Sequence, residues 1–141
     1  MPLGPGLLDA YRKADYVVYG EPELVFHVGE PSAALDELLE AEGAETAAFI
    51  TAANPRGELA GETANMVGIA ALSNLGESYD TFSGEGRDPE GKWPAERSLL
   101  VVGIPLDEAA RIGRAFDQNA IVFIEKGKPP ELVVLGNSGS E

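Results

Sequence analysis

Thr51, Asn54 and Arg56 stand close together at the end of an apolar run, Phe49-Ile50-Thr51-Ala52-Ala53-Asn54-Pro55-Arg56. A hydroxyl, an amide that both donates and accepts, and a guanidinium that can grip a carboxylate or phosphate through parallel N–H bonds form a set able to orient a polar ligand. The structural alternative is plain: Asn-Pro starts turns, Asn54 can bond its own backbone, and Arg56 can simply be solvated. A second polar corner, Phe116-Asp117-Gln118-Asn119, precedes the apolar run Ala120-Ile121-Val122-Phe123-Ile124. There Gln118 and Asn119 either read the polar atoms of a ligand or cap the helix before them. Glu96 sits between Trp93-Pro94 and the apolar run of residues 98–104. Held partly dry beside an indole, its carboxyl would move toward useful acid or base values; a salt bridge with Arg56, Arg97 or Arg114 is the duller use. Asn65 is an unfavourable residue for the middle of a helix and could project toward the same place. The expected ligand set is therefore Thr51, Asn54, Arg56, Asn65, Glu96, Gln118 and Asn119, with no catalytic residue assigned.

Other chemistries are disfavoured by what the chain contains. It has no cysteine, which removes disulfides, thiolate metal sites and a cysteine nucleophile together. His27 is the single histidine and lies between Phe26 and Val28, where an ordinary half-buried histidine is expected. Asp88-Pro89-Glu90-Gly91 lacks the ligand spacing of a calcium loop, and Gly84-Glu85-Gly86 lacks the lysine-serine ending of a phosphate loop. Neither a metal nor a cofactor is expected. The formal net charge of −14 repels phosphate backbones and anionic headgroups, so nucleic acid and membranes are poor partners. Residues 1–9 show neither a basic stretch nor a long apolar one, no window reaches a membrane span, and a cytoplasmic location is the expectation.

The elements that must position these residues read as follows. Leu7, Leu8 and Tyr11 suit a short helix; residues 16–19 and 23–28 are β-rich runs separated by Gly20-Glu21-Pro22. Ser32 is placed to cap a helix carrying Leu35, Leu38 and Leu39, and Gly43 stops it. Residues 46–52 form an uncharged strand, and residues 58–76 the longest helix, with Met66, Ile69, Ala70, Leu72, Ser73 and Leu75 on its apolar side. Residues 79–83 suit an edge strand, the glycine- and proline-rich residues 84–94 a loop, and residues 98–104 a second uncharged strand. Pro105 opens a helix whose buried side is Ala109, Ala110, Ile112, Gly113 and Phe116; residues 120–124 and 132–135 are the last strands.

From residue 46 to 124 the order strand, helix, strand, strand, helix, strand is that of a ferredoxin-like split βαβ core. The fold class is thus α+β, with an N-terminal strand and helix adding a further parallel strand by a right-handed crossover, and with a C-terminal strand. A three-layer α/β sheet is the alternative. One domain over residues 1–135 and a flexible polar tail, 136–141, are expected for a chain of 141 residues.

Ile50-Thr51-Ala52-Ala53-Asn54-Pro55, Asn65, Trp93-Pro94-Ala95-Glu96-Arg97-Ser98 and Phe116-Asp117-Gln118-Asn119-Ala120-Ile121 together resemble a bacterial family called domain of unknown function 3293. The resemblance runs from about residue 16 to 124. A bulky aromatic often stands in the family where this chain has Ala53, and glycine where it has Asp117. The resemblance implies a shared site at these residues and no reaction.

The leading functional expectation is a small cytoplasmic domain that binds a polar small molecule or peptide at the strand ends. One alternative is a metal-independent enzyme with Glu96 as acid/base and Arg56 or Asn54 stabilising negative charge. The other is an acidic protein–protein interaction module. An exposed strand edge allows an oligomer without demanding one.

Overall fold

A computed structural model describes residues 5–51, 61–91 and 94–135, with side chains from Asp9 onward. The elements in chain order are α1 (Pro5–Lys13), β1 (Asp15–Val18), β2 (Leu24–Phe26), α2 (Ala33–Glu42), β3 (Thr46–Thr51), α3 (Glu62–Leu72), β4 (Asp80–Arg87), β5 (Glu96–Val102), α4 (Leu106–Ala115), β6 (Ala120–Glu125) and β7 (Glu131–Val134). A 3₁₀ turn, Ser73–Glu77, continues α3. The strands form one sheet in the order β2-β1-β4-β5-β3-β6-β7. Every pairing between neighbours is antiparallel, so the protein is of mixed α+β class.

Strand alternation divides the core in two. On one face Ala48, Ile50, Leu99, Val101, Ile121 and Phe123 pack under α3 and α4, through Leu72, Ala109, Ala110 and Ile112. On the other, Ala47, Phe49, Leu100, Val102, Val122 and Ile124 pack with Leu35 and Leu39 of α2 and with Tyr16 and Phe26. Residues 47–50 of β3 and 99–102 of β5 are buried on both faces of the sheet, which is why these stretches are uninterrupted apolar runs. The predicted caps of α2 are present. Ser32 accepts a hydrogen bond from the Leu35 N–H at 3.2 Å, and Gly43 closes the helix in the left-handed conformation at φ 68°.

Three expectations are corrected by the sheet. The N-terminal strand is not a parallel addition: β1 and β2 form an antiparallel hairpin, and β1 lies against β4. With no parallel pair among the described strands, the Rossmann-like form of the three-layer alternative falls as well, although helices do pack on both faces of the sheet. Residues 79–83 do not form an edge, because β4 is covered on one side by β5 and on the other by β1. The edges are β2 and β7.

The reason lies in the glycines that suggested a loop. Residues 84–87 belong to β4, where Gly84 pairs with Val18 and Gly86 with Tyr16. A methyl group on Gly84 would run into the backbone carbonyl of Val17, so the strands approach here as only glycine permits. Turn-like composition marked a close backbone approach. Two smaller differences follow the same pattern of tertiary packing. His27 lies just beyond β2, and Met66 of α3 is 63 % exposed because that helix meets the core mainly through Ile69, Leu72 and the following Leu75.

The end of α4 has a different logic. Gln118 N–H reaches the Gly113 carbonyl at 2.9 Å and Asp117 N–H that of Arg114 at 3.0 Å, which is the paired closure of a helix through a left-handed residue. Asp117 is that residue, at φ 56°, the conformation in which glycine is costless.

Two substitutions test these backbone assignments by urea denaturation. Gly84→Ala is expected to destabilise by about 2–4 kcal/mol because a strand must move, whereas Gly86→Ala, whose added carbon meets Tyr16 at ordinary contact distance, should cost far less. Asp117→Gly should be stabilising by about 0.5–1 kcal/mol through relief of the left-handed conformation.

Candidate functional site

Because β3 runs antiparallel to both β5 and β6, its last residue lies beside their first ones. Thr51 pairs with Ser98, and Phe49 stands between Leu100 and Val122. The same register carries the row outward, with Ser98 opposite Gly84 and Glu96 opposite Gly86, and Gly86 in turn opposite Tyr16. These residues share one face of the sheet. The missing side chain at Gly86 leaves a hollow between Glu96 and the Tyr16 ring.

A cavity of about 40 Å³ occupies that hollow. Its walls include Thr51, Glu96, Ser98 and Gln118, over an apolar floor of Phe49, Tyr16, Val122 and Leu132, and Tyr11 of α1 completes the lining. Such a volume admits a small terminal group rather than a whole drug-sized molecule, which needs about 300 Å³ or more.

The polar groups are held in defined orientations. Thr51 Oγ1 donates to the Arg97 carbonyl at 2.6 Å, and Ser98 Oγ to the Glu96 carbonyl at 3.0 Å. Gln118, 8 % exposed, donates through Nε2 to the Phe116 carbonyl at 3.3 Å, so it both closes α4 and faces the cavity. Asn119 Nδ2 donates to the Tyr11 hydroxyl at 3.3 Å. Tyr16 donates to the Tyr11 carbonyl at 2.6 Å, tying α1 to the sheet.

The electrostatics of the two phenols report on the cavity. Burial pushes the Tyr11 phenol above its ordinary value; the Asn119 hydrogen bond opposes this, and the negative charge of Glu96 adds to it. Tyr16 is raised further, by burial first and then by the charges of Tyr11 and Glu96. Arg97 points elsewhere. Strand alternation turns it away from Glu96, and its charge acts on Tyr19 and Glu85.

Of the predicted ligand set, Thr51, Glu96 and Gln118 line one cavity, and Asn119 adjoins it through Tyr11. Asn65 is half-buried on α3, the helix that packs on the opposite face of the sheet. Asn54 and Arg56 lie outside the described residues. Sequence reasoning missed Tyr11, Tyr16 and Gly86. The available signals were a phenol on an apolar helix stripe, which brings a polar tip to a buried place, and a glycine within a strand.

Other candidates resolve structurally. His27 Nε2 lies 2.8 Å from Asp15 and its Nδ1 3.3 Å from Glu30, an arrangement that ties β1 to the turn after β2. Asp88 accepts from the Glu90 N–H at 2.9 Å, shaping the turn between β4 and β5. No grouping of histidine, aspartate and glutamate able to hold a metal occurs among the described residues. At the far end of β3 an open groove of about 610 Å³ is lined by Glu42, Glu45, Thr46, Glu77 and Asp80. There a hydrogen bond to Asp80 holds the Glu42 carboxyl above the usual carboxylate value. No helix among the described residues is long and apolar enough to cross a membrane.

Residues 50–121, just over half of the chain, match the family described as Protein of unknown function (DUF3293). The chain belongs to that family. No curated protein and no solved structure matches it. The matched span begins near the end of β3 and ends at the start of β6, so it includes Thr51, Glu96, Gln118 and Asn119 and excludes Tyr11 and Tyr16.

The phenols supply a test. Tyr11, Tyr16 and Tyr19 are all raised above 10.0, so the folded state prefers their neutral forms. That preference contributes stability at every pH below the unfolded value and is lost as pH rises through the folded ones. Ultraviolet titration should therefore show phenolate formation delayed in the folded protein relative to the urea-unfolded chain. In Glu96→Gln the Tyr11 resonance, followed by NMR, should titrate at lower pH than in the native protein. An unmoved Tyr11 titration would separate Glu96 from the cavity.

Proposed function

For a chain of this family we propose that the hollow bounded by Tyr11, Glu96 and Gln118 binds a small polar group carried by a small molecule or peptide. One observation carries the reading: the polar side chains of Tyr11, Thr51, Glu96 and Gln118, from four separated chain segments, converge on a single cavity beside a strand glycine. Chain corners that only supported the fold would need their hydrogen bonds satisfied, but they would not need a hollow between them. The apolar floor supplies contact area, and the fixed polar rim supplies orientation, which is the usual division of labour in a binding site. The order β4-β5-β3-β6 at the centre of the sheet supports treating this as a ferredoxin-like core with a hairpin added at one side and a strand at the other. A cytoplasmic location is part of the same proposal, supported by a chain without cysteine.

The enzymatic alternative uses the same place. The Glu96 charge acts directly on the Tyr11 phenol, so a carboxylate and a phenol face one cavity and could share proton-transfer work. Binding requires less of the geometry and is the reading preferred here.

A thermal-shift screen of amino acids, nucleotides, sugars and short peptides tests it. A ligand at about 100 times its Kd stabilises by about 2.7 kcal/mol, which raises Tm by several degrees in a domain of this size. Gly86→Val, which fills the hollow, should abolish the shift, and Glu96→Gln should reduce it. A ligand whose effect survives both changes binds elsewhere and overturns the assignment.

A further inference from the structure

The hydrogen-bonding state of Tyr11 narrows the chemical class of guest, on the premise that the hollow is a binding site. Asn119 Nδ2 donates to the Tyr11 hydroxyl oxygen, which fixes that oxygen as an acceptor in this contact. A phenol has a proton to give as well. Among the described residues that proton is donated to no acceptor. Tyr11 lines the cavity, so an acceptor atom of a guest held there can take that proton.

Across the same hollow stands Glu96, a carboxylate with several lone-pair positions and therefore able to accept from a guest in addition to any protein partner. The cavity thus presents a donor from Tyr11 and an acceptor from Glu96. Charge and solvation then exclude two classes of guest. An anionic carboxylate would meet the negative charge of Glu96, whose influence on the phenols has the sign that opposes a second negative group. A cation would face Glu96 but offers Tyr11 no acceptor, and an ion of either sign is poorly solvated over Phe49, Val122 and Leu132. A neutral group with a carbonyl at one end and an N–H at the other meets every requirement. At about 40 Å³ the space suits the terminal group of a larger molecule.

We propose that this site recognises a neutral amide, its carbonyl oxygen accepting from the Tyr11 hydroxyl and its N–H facing the Glu96 carboxylate. Tyr11 is then the residue that sets specificity, and Asn119 positions it. The class includes the side chains of asparagine and glutamine and the backbone amide of a peptide.

Acetamide, acetate and methylammonium, titrated separately into the intact protein and followed through the backbone amides of Gly86 and Ala120 by NMR, test the inference. Acetamide is expected to give saturable shifts at millimolar concentrations, with acetate and methylammonium giving none. Tyr11→Phe, which retains the ring and removes the hydroxyl, should weaken acetamide binding about fivefold, the loss of one hydrogen bond. Acetamide binding unaffected by Tyr11→Phe overturns the proposal. Binding of acetate or methylammonium in place of acetamide overturns it while leaving the hollow a binding site. Silence from all three probes, together with no Gly86→Val-sensitive ligand in the thermal-shift screen, removes both readings.

Discussion

The antiparallel pairing of β3 with β5 on one side and β6 on the other is the constraint on which the remaining geometry depends. Antiparallel neighbours place the end of one strand beside the beginning of the next. Thr51 at the end of β3 is therefore brought to Ser98 near the start of β5, while Gln118 and Asn119 lead into the start of β6. A parallel arrangement would have put these corners at opposite ends of the sheet. Burial of both faces of β3 makes the register hard to alter, since a slip by one residue would exchange Phe49 and Ile50 between two separately packed cores.

Around that constraint, small residues decide where there is space. Gly84 allows β1 and β4 to approach closely, which brings Tyr16 over the sheet. Gly86, opposite both Tyr16 and Glu96, leaves the gap between them. Tyr16 stacks on Phe26 at 5.5 Å and meets Phe49 edge-on at 5.6 Å, so the floor of the hollow is continuous with the aromatic part of the core. Its hydroxyl holds the Tyr11 carbonyl and so fixes the position of α1. In this way α1 contributes a side chain to the site.

Charge is arranged differently at the two ends of β3. Several of the cations are engaged with carboxylates: Lys126 with Glu40 and Glu45, Arg87 with Glu85 and Glu23, Arg111 with Glu108. These pairs are largely exposed and contribute little to stability individually. Glu42 and Asp80 at the open groove are close enough to share a hydrogen bond, a sign of how densely negative that end is. The cavity at the other end combines Glu96 with hydroxyls, amides and aromatic surface, which gives it directional chemistry.

The sequence by itself determined the elements and much of the candidate site. The uncharged runs around residues 47–50 and 99–102 had to be buried, Ser32 and Gly43 marked the ends of α2, and the polar residues at strand ends stood out against their apolar surroundings. Those signals are local, because hydrophobic periodicity and capping act over a few residues. Tertiary structure decided the rest. That β1 would pair with β4, that the glycines at 84 and 86 belong to a strand, and that Tyr11 would meet Asn119 all depend on contacts between distant segments. The same glycine serves a loop or a close strand approach, and only the backbone packed beside it distinguishes the two.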